Sequence, residues 1–182
     1  MNRTSANFVL PNVAPASSEH PASASAYVLE IKETLGEMWM PRLYRERVMV
    51  LRTRSHDLEV TAKGSQVQVQ HTLLGVELKI GRRRMLCPDL ATARYLAVFA
   101  RAGCRAVAVP YDITGISRLA DELESSWHRM LLLVEHLAGE RSANFRSRIR
   151  SLLLGEVQKE MAEAGAGTAI PKFNQNTKQR RD

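Results

Sequence analysis

Apolar residues recur along this chain with two different periods, and the changes of period predict its helices and strands. Helical spacing predicts a first helix over about residues 25–38. The period then changes to two, which predicts about four antiparallel strands with one buried and one polar face, at 48–52, 58–62, 66–70 and 76–80. Gly81 follows the last of these strands and is expected to form a turn.

The helical period returns after Pro88 and continues to the end of the patterned region. A helix is expected between Pro88 and Gly103, followed by a short strand at 106–109 that is buried on both faces. Residues 113–164 predict a helical hairpin interrupted at Gly139. Its first helix carries a heptad-like apolar seam that favours packing along another helix, made of Ile116, Ala120, Leu123, Trp127, Met130, Val134 and Leu137.

These elements predict an α+β fold. A small, mostly antiparallel sheet of about four to five strands is expected to pack on helices, and the C-terminal helical hairpin at 113–164 follows it. The single domain is expected to span residues 26–164. Residues 1–25 are rich in Pro, Ala and Ser and predict a flexible N-terminal arm, and residues 165–182 predict a disordered basic tail.

The charge of the chain points to the chemistry of its partner. Twenty of its 26 basic residues are arginine, and the formal net charge is +7. The guanidinium group stays charged and binds phosphate through two parallel hydrogen bonds, so clustered arginines are typical of nucleic-acid-binding proteins. We expect nucleic acid, DNA in preference to RNA, to be contacted by Arg42, Arg45, Arg47, Arg52, Arg54, Arg82, Arg83, Arg84, Arg146, Arg148 and Arg150. Tyr44 is the aromatic residue expected to stack on a base beside them.

The last arginine cluster has two interpretations. Arg146, Arg148 and Arg150 lie near the start of the last predicted helix, where positive charge opposes the helix dipole. Either an anionic partner compensates this charge, or the acidic face of the preceding helix does, through Asp121, Glu122, Glu124 and Glu135.

The apolar seam predicts a homodimer through helix 113–138. Such a dimer would present two basic surfaces and would bridge two duplexes. A different class of function uses the same features: a structural or adaptor protein would use its long helices as the interface, and its arginines would meet acidic proteins.

One pair of charged residues suggests catalysis. Glu77 and Lys79 lie two residues apart on a predicted strand, so they face the same side of the sheet and would bind Mg²⁺ if a second carboxylate lay nearby. This strand, the helix after it and the next strand resemble the core of the PD-(D/E)xK nucleases over residues 57–110, with Glu77 and Lys79 matching the second half of the motif. The resemblance implies that Asp57 completes the site. No proline precedes Asp57, and a predicted strand separates it from Glu77.

A metal-dependent nuclease is therefore the alternative to non-catalytic binding, in which Glu77 and Lys79 form a surface ion pair. We expect no metal and no cofactor, because the chain contains no HExxH motif and no glycine-rich phosphate loop. Cys87 and Cys104 belong to no CxxC pair, which favours a reducing compartment, the bacterial cytoplasm with association to the nucleoid. No apolar run approaches the length of about 18 residues that a membrane span requires.

Overall fold

The computed structural model describes residues 23–58, 60 and 66–167. In these residues the strands are β1 (Thr53–Asp57), β2 (Val67–Thr72), β3 (Gly75–Ile80), β4 (Arg83–Cys87) and β5 (Ala106–Pro110). The helices are α1 (Ala24–Leu35), α2 (Met40–Leu43), α3 (Leu90–Arg101), α4 (Ile116–Leu137) and α5 (Ala143–Ala164). A 3₁₀ turn over Gly36–Met38 precedes α2, and a π-helical turn over Tyr44–Val48 follows it.

The strands form two small antiparallel sheets. In one, β1 pairs with β5, with Thr53 opposite Pro110 and Asp57 opposite Ala106. In the other, β3 lies between β2 and β4. The α+β class predicted from the hydrophobic pattern is confirmed, and the division into two sheets follows from the pairing of β1 with β5.

The predicted strand at 48–52 is wrong. Residues up to Val48 continue the helical backbone, and a turn leads from there to β1. Tyr44 and Val48, four residues apart, are both buried, whereas Val50 is exposed, so the burial follows a helical and not a strand period.

The predicted strand at 58–62 is not formed by the residues of it that the structure describes. The Leu58 amide donates a hydrogen bond of 2.8 Å to the Arg105 carbonyl just beyond β1, and Val60 belongs to no strand. The rest of this segment lies outside the described residues. The predicted strands at 66–70 and 76–80 correspond to β2 and β3, with β4 added after the turn at Gly81.

Helix α3 forms the centre of the core. It packs against β2, β3 and β4 on one side and against α4 on the other. Its N-terminus is fixed by Asp89, whose side chain accepts a hydrogen bond of 2.7 Å from the Thr92 amide. Tyr95 and Phe99 fill the space beneath it as an edge-to-face pair with ring centroids 5.0 Å apart.

The apolar seam of α4 is covered by helices of the same chain. Ile116, Leu123 and Met130 are at most 2% exposed, and α4 packs against α1, α2, α3 and α5. A homodimer through residues 113–138 stays a prediction, and it would have to use a face of α4 other than this seam.

The outer edge of β5 is closed by two tyrosine hydroxyls. The Ala108 amide donates to the Tyr44 hydroxyl over 2.8 Å, and the Ala108 carbonyl accepts from the Tyr95 hydroxyl over 2.6 Å. The Tyr44 hydroxyl itself donates to the Gly165 carbonyl over 2.8 Å. Because both backbone groups of Ala108 are satisfied by side chains, no further strand can pair at this point of the edge.

The folded part extends slightly beyond the predicted boundaries of 26 and 164. Helix α1 begins at Ala24, inside the predicted flexible arm, because the Ser23 side chain caps it by accepting from the Ala26 amide over 3.2 Å. Gly167, assigned to the disordered tail, packs against β1. Otherwise the predictions for the arm and the tail fall on residues 1–22 and 168–182, outside the described residues.

Candidate nucleic-acid interface

The arginines predicted to contact nucleic acid lie in four places. We name three of them: the β1 cluster (Arg47, Arg52 and Arg54), the hairpin cluster (Lys79, Arg82, Arg83 and Arg84) and the helix-junction cluster (Arg146, Arg148 and Arg150). The fourth place is α2 and the turn after it, with Arg42 and Arg45. Their surroundings differ mainly in how much of the charge is neutralised by carboxylates.

The helix-junction cluster is largely occupied within the molecule. Arg146 donates to the carbonyls of Gly139 and Arg141, each over 2.9 Å, and lies 3.4 Å from the Glu135 carboxylate. Arg150 forms an ion pair with the same carboxylate. These two arginines join the end of α4 to the start of α5. Positive charge beside the C-terminus of α4 interacts favourably with the dipole of that helix.

Of the two interpretations of this cluster, the structure therefore shows compensation inside the chain, through Glu135. Asp121 and Glu124 pair with Arg94 instead, and Glu122 lies 3.6 Å from Arg118. Arg148 is exposed and has no ion pair among the described residues.

Arg42 and Arg45 also have acidic neighbours. Arg42 donates to Glu46 over 2.8 Å, and the Arg45 guanidinium lies 3.7 Å from the Glu160 carboxylate. Glu160 is 13% exposed and also accepts from the Trp39 indole over 3.0 Å. The Arg45–Glu160 ion pair belongs to a network that involves α1 and α5. Arg42 and Arg45 therefore carry less unpaired charge than the sequence suggests.

Two members of the β1 cluster, Arg47 and Arg52, are exposed. Arg47 and Arg52 have no carboxylate partner among the described residues. Arg52 lies over the Tyr111 ring, 5.1 Å from its centroid, and its carbonyl accepts from the Tyr111 amide over 3.0 Å. The guanidinium is therefore held in place by a cation–π contact, while Tyr111 remains 52% exposed.

Tyr111, and not Tyr44, is the exposed aromatic residue beside these arginines. Tyr44, which was expected to stack on a base, is fully buried, and its burial raises its pKa to about 12. One sequence feature indicates the position of this ring. Pro110 ends strand β5, so the residue after it, Tyr111, is expected to lie beyond the sheet.

Arg54 is the partly buried member of the β1 cluster. Its Nε atom is buried without a hydrogen-bond partner among the described residues. A buried donor without an acceptor is unfavourable.

The hairpin cluster surrounds the two-residue turn between β3 and β4. Gly81 has a φ of +60°, which a glycine adopts without steric cost, and Arg82 occupies the exposed tip. Lys79 lies directly opposite Arg84 across the two strands. The Arg84 guanidinium is 3.9 Å from the Glu77 carboxylate, too long for a hydrogen bond, and the Arg84 side chain is 62% exposed.

Strand β1 joins the two exposed clusters. Arg52 precedes its first residue, and Asp57 at its other end lines a cavity with Arg83 and Arg84. The His56 ring lies 3.0 Å from the Met85 sulfur, which places β1 beside β4, and burial lowers the pKa of His56. A five-residue strand spans about 17 Å, so the clusters lie within the length of about five base pairs.

The residues of the nuclease alternative are divided between the two sheets. Glu77 and Lys79 share one face of β3, as predicted, whereas Asp57 is on β1, which does not pair with β3. Glu77 is near Arg84, and its Oε2 atom accepts no hydrogen bond among the described residues. No group of three or more His, Cys, Asp or Glu residues within 23–58, 60 and 66–167 is placed to hold a metal ion.

Comparison with known proteins adds no family to this description. None of the helices in the described part of the chain is long and apolar enough to cross a membrane. The chain matches no protein-family model, and no curated protein or solved structure is significantly similar to it.

Proposed function

We propose that this protein binds nucleic acid, DNA in preference to RNA, through phosphate contacts of its exposed arginines and without catalysing a reaction. One observation carries the proposal: Arg47, Arg52 and Arg82 are exposed without a carboxylate partner among the described residues. Carboxylates pair with Arg42, Arg146 and Arg150 elsewhere on the same molecule, with Glu135 shared by the last two. Arg52 directly precedes β1, and Arg82 belongs to the hairpin cluster beside the other end of that strand.

The chemistry of the two clusters suits phosphate. Each arginine that neutralises a phosphate releases condensed counterions, so the logarithm of the affinity falls with the logarithm of the salt concentration by about 0.9 per contact. The Tyr111 ring already restricts the Arg52 side chain, which lowers the entropy lost when that guanidinium binds.

The remaining parts of the proposal concern assembly and location. A dimer that uses the free surface of α4 would present two basic surfaces and bridge two duplexes. A DNA-binding protein with two buried free cysteines suits the reducing bacterial cytoplasm and its nucleoid.

The test compares two double variants that remove the same charge. Fluorescence anisotropy with a labelled duplex, from about 50 to 200 mM salt, gives the affinity and its salt slope. We expect the Arg47→Gln, Arg52→Gln variant to bind more weakly. Its plot of log affinity against log salt should be less steep than that of the wild type, by about 2 in slope. The matched control, Arg146→Gln with Arg150→Gln, should change the slope by less than the first variant does, because both of these arginines are paired with Glu135.

Two results would contradict the proposal. The first is a wild-type protein that binds no nucleic acid at low salt, which would favour an adaptor function through acidic protein partners. The second is an equal loss of slope in both double variants, which would mean that net charge and not this surface attracts the duplex. Circular dichroism establishes that each variant is folded.

A further inference from the structure

The three-stranded sheet has one face that no other element covers among the described residues. Side chains alternate along a strand, and the face with Leu78, Ile80 and Cys87 is buried against α3. The opposite face, which we name the outer face, carries Gln68, Gln70, Glu77, Lys79, Arg84 and Leu86.

We propose that the outer face enters the major groove of double-stranded DNA and contacts base edges there. This inference rests on the proposed function and deepens it, because it names the form of nucleic acid and the groove. The β1 cluster supplies phosphate contacts, and the outer face supplies sequence preference.

The register of the strands places groups that recognise bases side by side. Gln68, Lys79 and Arg84 lie directly opposite one another across the three strands. Arginine and lysine donate to the O6 and N7 atoms of guanine, and glutamine pairs with the N6 and N7 atoms of adenine. The next row is Gln70, Glu77 and Leu86, in which the Glu77 side chain is largely buried and Leu86 is 60% exposed.

Contacts within the outer face fix the positions of some of these side chains before DNA binds. The Gln70 amide donates to the Gln68 side-chain carbonyl over 3.1 Å. The Glu77 carboxylate attracts the Arg84 guanidinium from 3.9 Å without forming a hydrogen bond, so the donors of Arg84 remain available to a base. Ordering in advance reduces the entropy cost of binding.

Two strands of the sheet match the width of the groove. Strands lie about 4.8 Å apart, and the major groove of B-DNA, about 12 Å wide, admits a two-stranded ribbon such as the β3–β4 pair that carries Lys79 and Arg84. The strands of five or six residues are about 20 Å long, which corresponds to about six base pairs.

Charge completes the fit. Lys79 and Arg84 lie on the half of the outer face nearest the β3–β4 turn, and Arg82 at its tip extends beyond the sheet toward the phosphates. Double-stranded RNA has a deep and narrow major groove that side chains cannot enter, so this geometry selects DNA.

The first experiment selects binding sites from a pool of randomised duplexes with the full-length wild-type protein and sequences the bound fraction. We expect a preferred site of about six base pairs that contains guanine. Replacing that guanine by 7-deazaguanine removes the N7 acceptor in the major groove and should weaken binding by about 5- to 150-fold. A duplex RNA of the same sequence should bind no better than a scrambled DNA.

The second experiment uses single variants. Arg84→Ala should lose about 5- to 150-fold in affinity for the preferred duplex and lose the preference at one guanine position. It should change binding to a scrambled duplex by less than about tenfold, the loss expected from one phosphate contact. The matched control is Arg129→Ala, which removes an exposed arginine of α4 and should change neither affinity.

The outcomes separate this inference from the proposed function. If the wild type binds every duplex equally and 7-deazaguanine has no effect, the major-groove inference is overturned, while phosphate binding stands. If the wild type binds no nucleic acid at all, both fail. The 7-deazaguanine result uses the unaltered protein and is therefore independent of how any variant folds.

Discussion

Removal of the Tyr44 hydroxyl tests whether this residue serves the fold or the interface. In Tyr44→Phe the ring keeps its edge-to-face contact with Phe99, whose centroid lies 5.5 Å away. The variant loses two hydrogen bonds, one from the Ala108 amide and one to the Gly165 carbonyl. The Ala108 amide is then left buried without an acceptor, whereas Gly165 is partly exposed and its carbonyl can accept from water.

The cost follows from these two groups. A buried donor without a partner costs about 1–3 kcal/mol, and the second hydrogen bond adds about 1 kcal/mol, so we expect a loss of about 2–4 kcal/mol. For a chain of this size each kcal/mol lowers Tm by about 2–4 °C. Tyr95→Phe removes only the donor to the Ala108 carbonyl, and unpaired carbonyls are better tolerated than unpaired amides. We expect it to cost about 1–2 kcal/mol.

Urea unfolding of wild type, Tyr44→Phe and Tyr95→Phe measures both losses, and amide hydrogen exchange at Ala108 reports the local opening. The reasoning is refuted if Tyr44→Phe costs less than about 0.5 kcal/mol, or no more than Tyr95→Phe. DNA affinity at a temperature where all three proteins are folded should be unchanged in Tyr44→Phe. A large loss of DNA affinity in Tyr44→Phe would indicate that Tyr44 contributes to the interface.

Three further predictions concern pH, catalysis and the α4 seam. Burial raises the pKa values of Tyr44 and Cys104 to about 12, above their unfolded values, so stability is complete below pH 9 and is lost as pH rises toward 12. A free energy of unfolding that stays constant from pH 8 to 11 would contradict this. Lys79→Ala should lower the free energy of unfolding by at most about 1 kcal/mol. Wild type with Mg²⁺ should leave DNA intact, so this variant has no cleavage activity to lose. Cleavage lost in both Glu77→Ala and Lys79→Ala would establish the nuclease instead. Met130→Glu buries a charge at a position 1% exposed and should unfold the protein, and a soluble, natively folded variant would refute the packing of α4.

The sequence predicts the elements that have a clear local period. Strands β2 and β3, the turn at Gly81 and helices α3, α4 and α5 all lie close to where the pattern placed them. The strand expected at 48–52 fails because alternating apolar residues occur by coincidence where a helix ends. The division into two sheets depends on the pairing of Thr53 with Pro110, which no local pattern contains.

The candidate site was predictable as a set of arginines but not as a surface. Which of them remain free depends on contacts between residues far apart in the chain, such as Glu135 with Arg146 or Glu160 with Arg45. The exposed ring beneath Arg52 was missed for the same reason, because Tyr111 meets it only through the pairing of β1 with β5.

The close packing of Gly167 has a practical consequence for experiments on this protein. A β-carbon at this position would lie 2.7 Å from the Thr53 hydroxyl oxygen and 3.3 Å from the Arg54 backbone, so the chain leaves the described domain against β1, beside the β1 cluster. Residues 168–182 span at most about 50 Å when extended. A purification tag or fluorophore joined after Asp182 therefore stays within reach of the proposed interface. An acidic tag there would compete with DNA for the arginines of the proposed interface, so a reporter belongs on the DNA and a tag should be cleaved off.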